Sequence, residues 1–136
     1  IPWSVANISN VPLAECENFI VNSEGIYPEL NYDDIEAYVR KSGARVIERK
    51  GATFYAISVS VCHIIKCLLG GIDTTMTVST MMHGEYGIDD VCLSVLSIVG
   101  SEGAHGKILI PLTDEEIGKL KHSADCLKEI INSIEI

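Results

Sequence analysis

The sequence predicts an α+β domain, and three observations carry that reading. Residues 33–69 hold two stretches whose apolar side chains recur at helical spacing. Three β-prone stretches joined by short loops follow, between Thr74 and Leu112. A strongly amphipathic helix closes the chain. The order is a short β pair, two helices, three strands and one helix, which differs from a repeating βαβ pattern. Short loops between the three strands predict an antiparallel sheet, because a parallel pair needs a long crossover.

Each element has a local cause. Residues 1–14 are β-prone but broken by Asn10 and Pro12, so Ser9-Asn10 reads as a turn between Ser4–Ile8 and Val11–Ala14. Residues 15–30 contain Gly25 and Pro28 and read as irregular or weakly helical. Asn31 is a good N-cap, and Asp33 and Asp34 suit the first turn behind it. Ile35, Tyr38, Val39, Val46 and Ile47 give that helix an apolar stripe. Gly51 ends it, because glycine takes a left-handed backbone at no steric cost.

The second helix is expected over Thr53–Leu69, with Thr53 as its cap. Its apolar residues cover nearly every face, which predicts the buried centre of the domain, with His63 a core histidine. Gly70-Gly71 ends it. Strands are expected over Thr74–Met82, Val91–Val99 and His105–Leu112, with turns at Gly84-Glu85-Tyr86-Gly87 and Gly100-Ser101-Glu102-Gly103. Thr113 to Glu116 fits a capping box. Ile117, Leu120, Ala124, Leu127, Ile131 and Ile134 then form one apolar stripe.

The junction Lys50–Ile57 is the chain's most suggestive stretch. A helix N-terminus presents free N–H groups and partial positive charge, which suits a carboxylate. Ile57 lies one turn beyond Thr53 on the same face. A hydroxyl beside an apolar side chain at a helix mouth suits a small organic acid. A plain helix–helix junction in a core is the competing reading.

Composition narrows the function. The chain has 136 residues and a net charge of −9, which argues against nucleic acid or an anionic membrane as the main partner. Five cysteines without a CxxC pair make a poor disulfide framework and a poor zinc site. Reduced, mostly buried thiols in a cytoplasmic protein are expected. The longest apolar runs are too short to span a bilayer. There is no dinucleotide fingerprint, phosphate-binding loop, metalloprotease motif or nucleophile elbow. His63, His83, His105 and His122 lack neighbours that mark a triad or metal site. The first residues, Ile1-Pro2-Trp3-Ser4, read like the middle of a folded segment, so a piece of a longer chain is expected.

An ordered set of short stretches then resembles one family. Glu48-Arg49-Lys50-Gly51-Ala52-Thr53-Phe54-Tyr55-Ala56-Ile57 resembles the helix junction of L-lactate dehydrogenases. Similar in the same way are Thr77–Thr80 followed by Gly84–Gly87, Asp90–Val95 with Ile98-Val99-Gly100, and Ile110–Thr113 with Lys121–Ala124. Together they span nearly the whole chain. The resemblance implies the C-terminal, substrate-binding domain over residues 1–136 of a bacterial-type lactate/malate dehydrogenase. That fold has a three-stranded antiparallel sheet and a short N-terminal β pair packed with long helices. The NAD-binding Rossmann domain, with the catalytic His, Asp and Arg, would lie upstream.

The resemblance implies further roles, all belonging to the full-length enzyme. Thr53 would contact pyruvate, with Gly43 and Ala44 on the helix lining the pocket for the substrate side chain. Ile57 would pack against the nicotinamide ring of NAD. It implies no catalytic residue and no metal in this chain, and a cytoplasmic homotetramer interconverting pyruvate and L-lactate in fermentative glycolysis. The isolated fragment is expected to be inactive, not to bind NAD, and to pair as a symmetric dimer. Gly43 stands where the family usually has Ala, which predicts a slightly roomier pocket. Leu96 stands where the family commonly has Pro, which predicts a loosened or shifted strand. Malate or L-2-hydroxyisocaproate dehydrogenase is the sibling reading. A stand-alone, non-enzymatic binding module is the reading from another class.

Overall fold

The computed structural model describes residues 1–16 and 30–134. The expected irregular stretch at 15–30 therefore lies largely outside the described residues. The chain groups into two compact units, the first running to His63 and the second from Ile64 onward; Ile1 groups with the first and Pro2 with the second. The architecture is α+β, as the sequence predicts.

In the first unit, a 3-10 turn at Trp3–Val5 leads into β1 (Asn7–Ile8), which pairs antiparallel with β2 (Val11–Pro12). Ser9 and Asn10 both have positive φ, 52° and 69°, as a tight hairpin turn of this hand requires. The extended pieces are shorter than expected because 3-10 turns at Trp3–Val5 and Leu13–Glu15 take their outer ends.

Helix α1 (Tyr32–Lys50) begins where expected. The Asn31 side chain accepts a hydrogen bond from the Asp34 N–H at 3.2 Å. It ends at Gly51, whose φ of +79° is left-handed and whose N–H donates to the Ile47 carbonyl at 2.7 Å. Helix α2 (Tyr55–Gly70) follows and crosses the boundary between the units.

Neither helix has a buried residue. This corrects the expectation that α2 is the buried centre of the domain. Val59 is 71% exposed and Leu69 is 84% exposed, and His63 is exposed rather than a core histidine. The helix is apolar on nearly every face, yet the described residues of this chain do not cover it. The cysteines depart from expectation for a related reason. All five are free, yet Cys62 lies on uncovered α2, Cys92 on the outer side of a strand and Cys126 on the exposed side of the last helix.

The second unit holds the sheet β3 (Thr74–His83), β4 (Asp89–Gly100) and β5 (Gly103–Lys107), antiparallel in that order. Val91, Leu93, Val95, Ser97 and Val99 of β4 are buried, while Cys92 and Ser94 between them are exposed. That alternation is the period of a strand with one covered face. Helix α3 (Asp114–Asn132) provides the cover, with both halves of the Thr113–Glu116 capping box formed. Ala124 and Leu120 join Met82, Ile88, Val91, Leu93 and Val95 in the core. The later part of the stripe, Ile131 and Ile134, is exposed, so only the first half of α3 packs on the sheet.

Two strand expectations change. Strand β5 stops at Lys107 instead of running to Leu112, although the Ile108 N–H still donates to the Leu96 carbonyl at 2.8 Å. Leu96 does not loosen β4: residues 92–99 pair with 81–74 in unbroken register. The only irregularities in this sheet among the described residues are at Met81/His83 and at Ile98/Val99.

Candidate functional site

The junction between α1 and α2 is the candidate site, and its geometry follows from one glycine. Gly51 reverses the chain in the left-handed region. Ala52, Thr53 and Phe54 then cross to α2. The first intrahelical bond of α2 runs from the Ser58 N–H to the Phe54 carbonyl at 2.8 Å. Phe54 therefore occupies the cap position, and Thr53 stands one residue outside the helix. This corrects the reading of Thr53 as the cap. Phe54 brings no side-chain acceptor, so side chains leave the first N–H groups of α2 uncapped.

Thr53 is half-buried at this mouth, and its hydroxyl makes no hydrogen bond among the described residues. Ile57, in the first turn of α2, is 56% exposed. A free hydroxyl, free helix N–H groups and an apolar side chain thus share one mouth. That combination can hold the carboxylate of a small acid and present an apolar wall beside it.

Gly43 and Ala44 lie on α1, both exposed. Gly43 is about 12 Å along the helix axis from Gly51, at 1.5 Å rise per residue. A Cβ at Gly43 would meet no atom within 4 Å. The four predicted residues are therefore carried by one helix–turn–helix, yet no described contact closes them into a cavity. Neither of two grooves on the described residues is lined by Thr53, Ile57, Gly43 or Ala44.

The larger groove, about 490 Å³, lies in the second unit beside His83, Glu85, His105 and Lys107. Sequence reading did not single it out, because Glu85 and Lys107 are 22 residues apart and looked like ordinary turn and strand residues. They form an ion pair at 2.7 Å, and Glu85 also accepts the His83 N–H at 2.6 Å. The Lys107 hydrogen bond, helped by that N–H, holds the Glu85 carboxyl down at about 2. His105 faces Asp73 at 3.5 Å. Lys107 and His105 thus each already have a carboxylate, so the groove is charge-compensated rather than poised for an anion. Among the described residues no cluster of His, Cys, Asp and Glu could hold a metal ion. No single described helix is long and apolar enough to cross a membrane.

Comparison with known proteins gives several matches. Residues 2–135 match the family described as lactate/malate dehydrogenase, alpha/beta C-terminal domain. An L-lactate dehydrogenase of Acetivibrio thermocellus is 34% identical over 134 residues, covering 98% of this chain and 41% of that one. L-lactate dehydrogenase 1 of Clostridium acetobutylicum is 40% identical over 133 residues, covering 97% and 41%. Among solved structures, the L-lactate dehydrogenase from Clostridium thermocellum superposes with a TM-score of 0.81 at 34% identity, covering 99% of this chain and 42% of that one. The malate dehydrogenase of Archaeoglobus fulgidus, in complex with NADH, gives 0.70 at 36% identity, covering 76% and 35%. The chain spans about two fifths of the length of the curated relatives it matches.

Proposed function

Because the chain belongs to the lactate/malate dehydrogenase family, as its α/β C-terminal domain, we propose that it forms the substrate side of an NAD-dependent L-lactate dehydrogenase. One observation carries this reading. Among the described residues, the α1–α2 junction offers an unpartnered Thr53 hydroxyl beside free helix N–H groups, with exposed Ile57 in the first turn of α2.

In this reading Thr53 and the N–H groups at the α2 mouth orient the substrate carboxylate and carbonyl. Ile57 would pack against the nicotinamide ring and keep water from the reacting face. Gly43 and Ala44 bound the substrate side chain. NAD supplies the hydride acceptor or donor, and the groups that move the proton belong to the domain upstream. The residues present fit only the nicotinamide edge of that cofactor. An apolar side chain is here, while the glycine-rich turn that cradles a pyrophosphate is not in this sequence.

The missing wall is an N-terminal NAD-binding domain of the same protein, and residues 1–136 act as one substrate domain beneath it. The apolar face of α2, without a buried residue, suits packing against that domain or another subunit. A homotetramer in the cytoplasm is the assembly we assign to the whole enzyme. Alone, the chain has no catalytic group and does not turn over pyruvate.

The likeness to a malate dehydrogenase at 36% identity supports a second reading, in which the substrate is a 2-oxo dicarboxylate. Relative turnover of pyruvate and oxaloacetate by the whole enzyme separates the two. Faster turnover of oxaloacetate would overturn the lactate assignment.

A further inference from the structure

The cations of this acidic chain are unevenly placed. Of its ten Lys and Arg residues, five fall between Arg40 and Lys50, against one carboxylate there, Glu48. Arg40 is taken up by Glu36 at 2.6 Å. Arg45, Arg49 and Lys50 line a groove of about 260 Å³ on α1, together with Tyr38, Ser42 and Val46. The groove has no carboxylate in its lining, and no described carboxylate pairs with any of the three cations.

The arrangement costs stability as it stands. Arg45 and Arg49 are four apart, and like charges at that spacing repel. The helix dipole favours cations only in the last turn. That accounts for Arg49 and Lys50 but not for Arg45.

Two of the cations are also held in place. The Arg45 guanidinium carbon lies 4.8 Å from the centre of the Tyr38 ring, and Lys50 Nζ lies 5.7 Å from that of Tyr55. A cation resting on an aromatic ring is pre-ordered while its remaining N–H groups stay free. Val46 and Tyr38 add an apolar side to the groove. A pre-ordered guanidinium fork and ammonium, with the Arg49 fork lining the same small cleft, match a phosphoryl group geometrically.

We propose that this groove binds a small, multiply charged phosphoryl compound. The site uses α1 and Tyr55, shares no residue with Thr53, Ile57, Gly43 or Ala44, and does not rest on the dehydrogenase reading. The small volume and the chain's net charge of −9 favour a small molecule over nucleic acid, which would meet repulsion across the rest of the surface.

Calorimetric titration of this chain with inorganic pyrophosphate at low ionic strength tests the proposal. The expected result is saturable binding with one site per chain. The Arg45→Gln/Arg49→Gln double variant should bind about tenfold more weakly or worse, and Lys66→Gln should bind as the parent does. Arg45→Lys/Arg49→Lys, which keeps the charge but loses the fork, should fall between. Helix content measured alongside confirms that each variant is folded. Absence of saturable binding overturns the proposal, as does equal binding by the double Gln variant. An acidic peptide that binds more tightly than pyrophosphate would overturn the small-ligand assignment.

Discussion

Lys107 Nζ lies 2.7 Å from Glu85 Oε1, joining the turn after β3 to the end of β5. Each side chain is a fifth or less exposed. The pair ties the two strands that flank β4. Its role is to hold the sheet, and that role has a pH signature.

Glu85 has a folded value of about 2, below its unfolded value near 4.5. A depressed carboxyl stabilises the fold above the unfolded value and loses that contribution as pH falls through the folded one. Acid unfolding of the parent should therefore steepen between about pH 4.5 and pH 2. Glu85→Gln should flatten that part of the profile, and Lys107→Met should raise the Glu85 value toward the ordinary range. Thermal midpoints across this window check both; superimposable profiles would remove the assignment.

Thr53 carries the second prediction. In the whole enzyme, Thr53→Ala should lower kcat/KM for pyruvate by about 10-fold to 100-fold, the range for a lost hydrogen bond to a charged group. Thr53→Ser should retain most of it. Because Thr53 stands outside α2 rather than capping it, neither change should move the thermal midpoint by more than a degree or two. A large loss of stability in Thr53→Ala would make it a structural residue instead.

Gly43 separates packing from pocket shape. A Cβ there meets nothing within 4 Å, and replacing a helix-interior glycine with alanine stabilises by about 0.5–1 kcal/mol. Gly43→Ala should therefore raise the melting temperature of this chain. In the whole enzyme it should also lower turnover of 2-oxobutyrate relative to pyruvate, within the about 1–3 kcal/mol that one methylene is worth. An unchanged substrate ratio would remove Gly43 from the pocket.

The exposed face of α2 predicts association. Val59 at 71% and Leu69 at 84% exposure belong to an apolar helix with no described cover, and exposed apolar patches of this kind mark interfaces. Sedimentation of this chain at about tens of micromolar should give a dimer, and Val59→Glu should return it to a monomer. A monomeric parent would count against an interface on α2.

Local chemistry was legible in the sequence because neighbours create it. The Asn31 cap, the left-handed Gly51 and the Thr113–Glu116 box each depend on residues within one turn, and each is found in place. Strand ends were less legible. Asp89 joins β4 by pairing with His83 despite its polar character, while Ile108 to Pro111 leave β5 although they are apolar. Burial was least legible of all. The composition of α2 reports that something covers it, but not whether the cover belongs to the same chain. Thr53 shows the same limit at one residue. Its type suits a cap, yet the backbone places the cap at Phe54 and leaves the hydroxyl free.

With the substrate wall on this chain and the chemistry on an upstream domain, as proposed, pyruvate-dependent NADH oxidation should be absent for this chain alone. It should be measurable once the chain is joined behind a relative's NAD-binding domain, and lost again in the joined Thr53→Ala variant. Turnover by the chain alone, or none by a joined protein that folds and binds NADH, would refute the proposal.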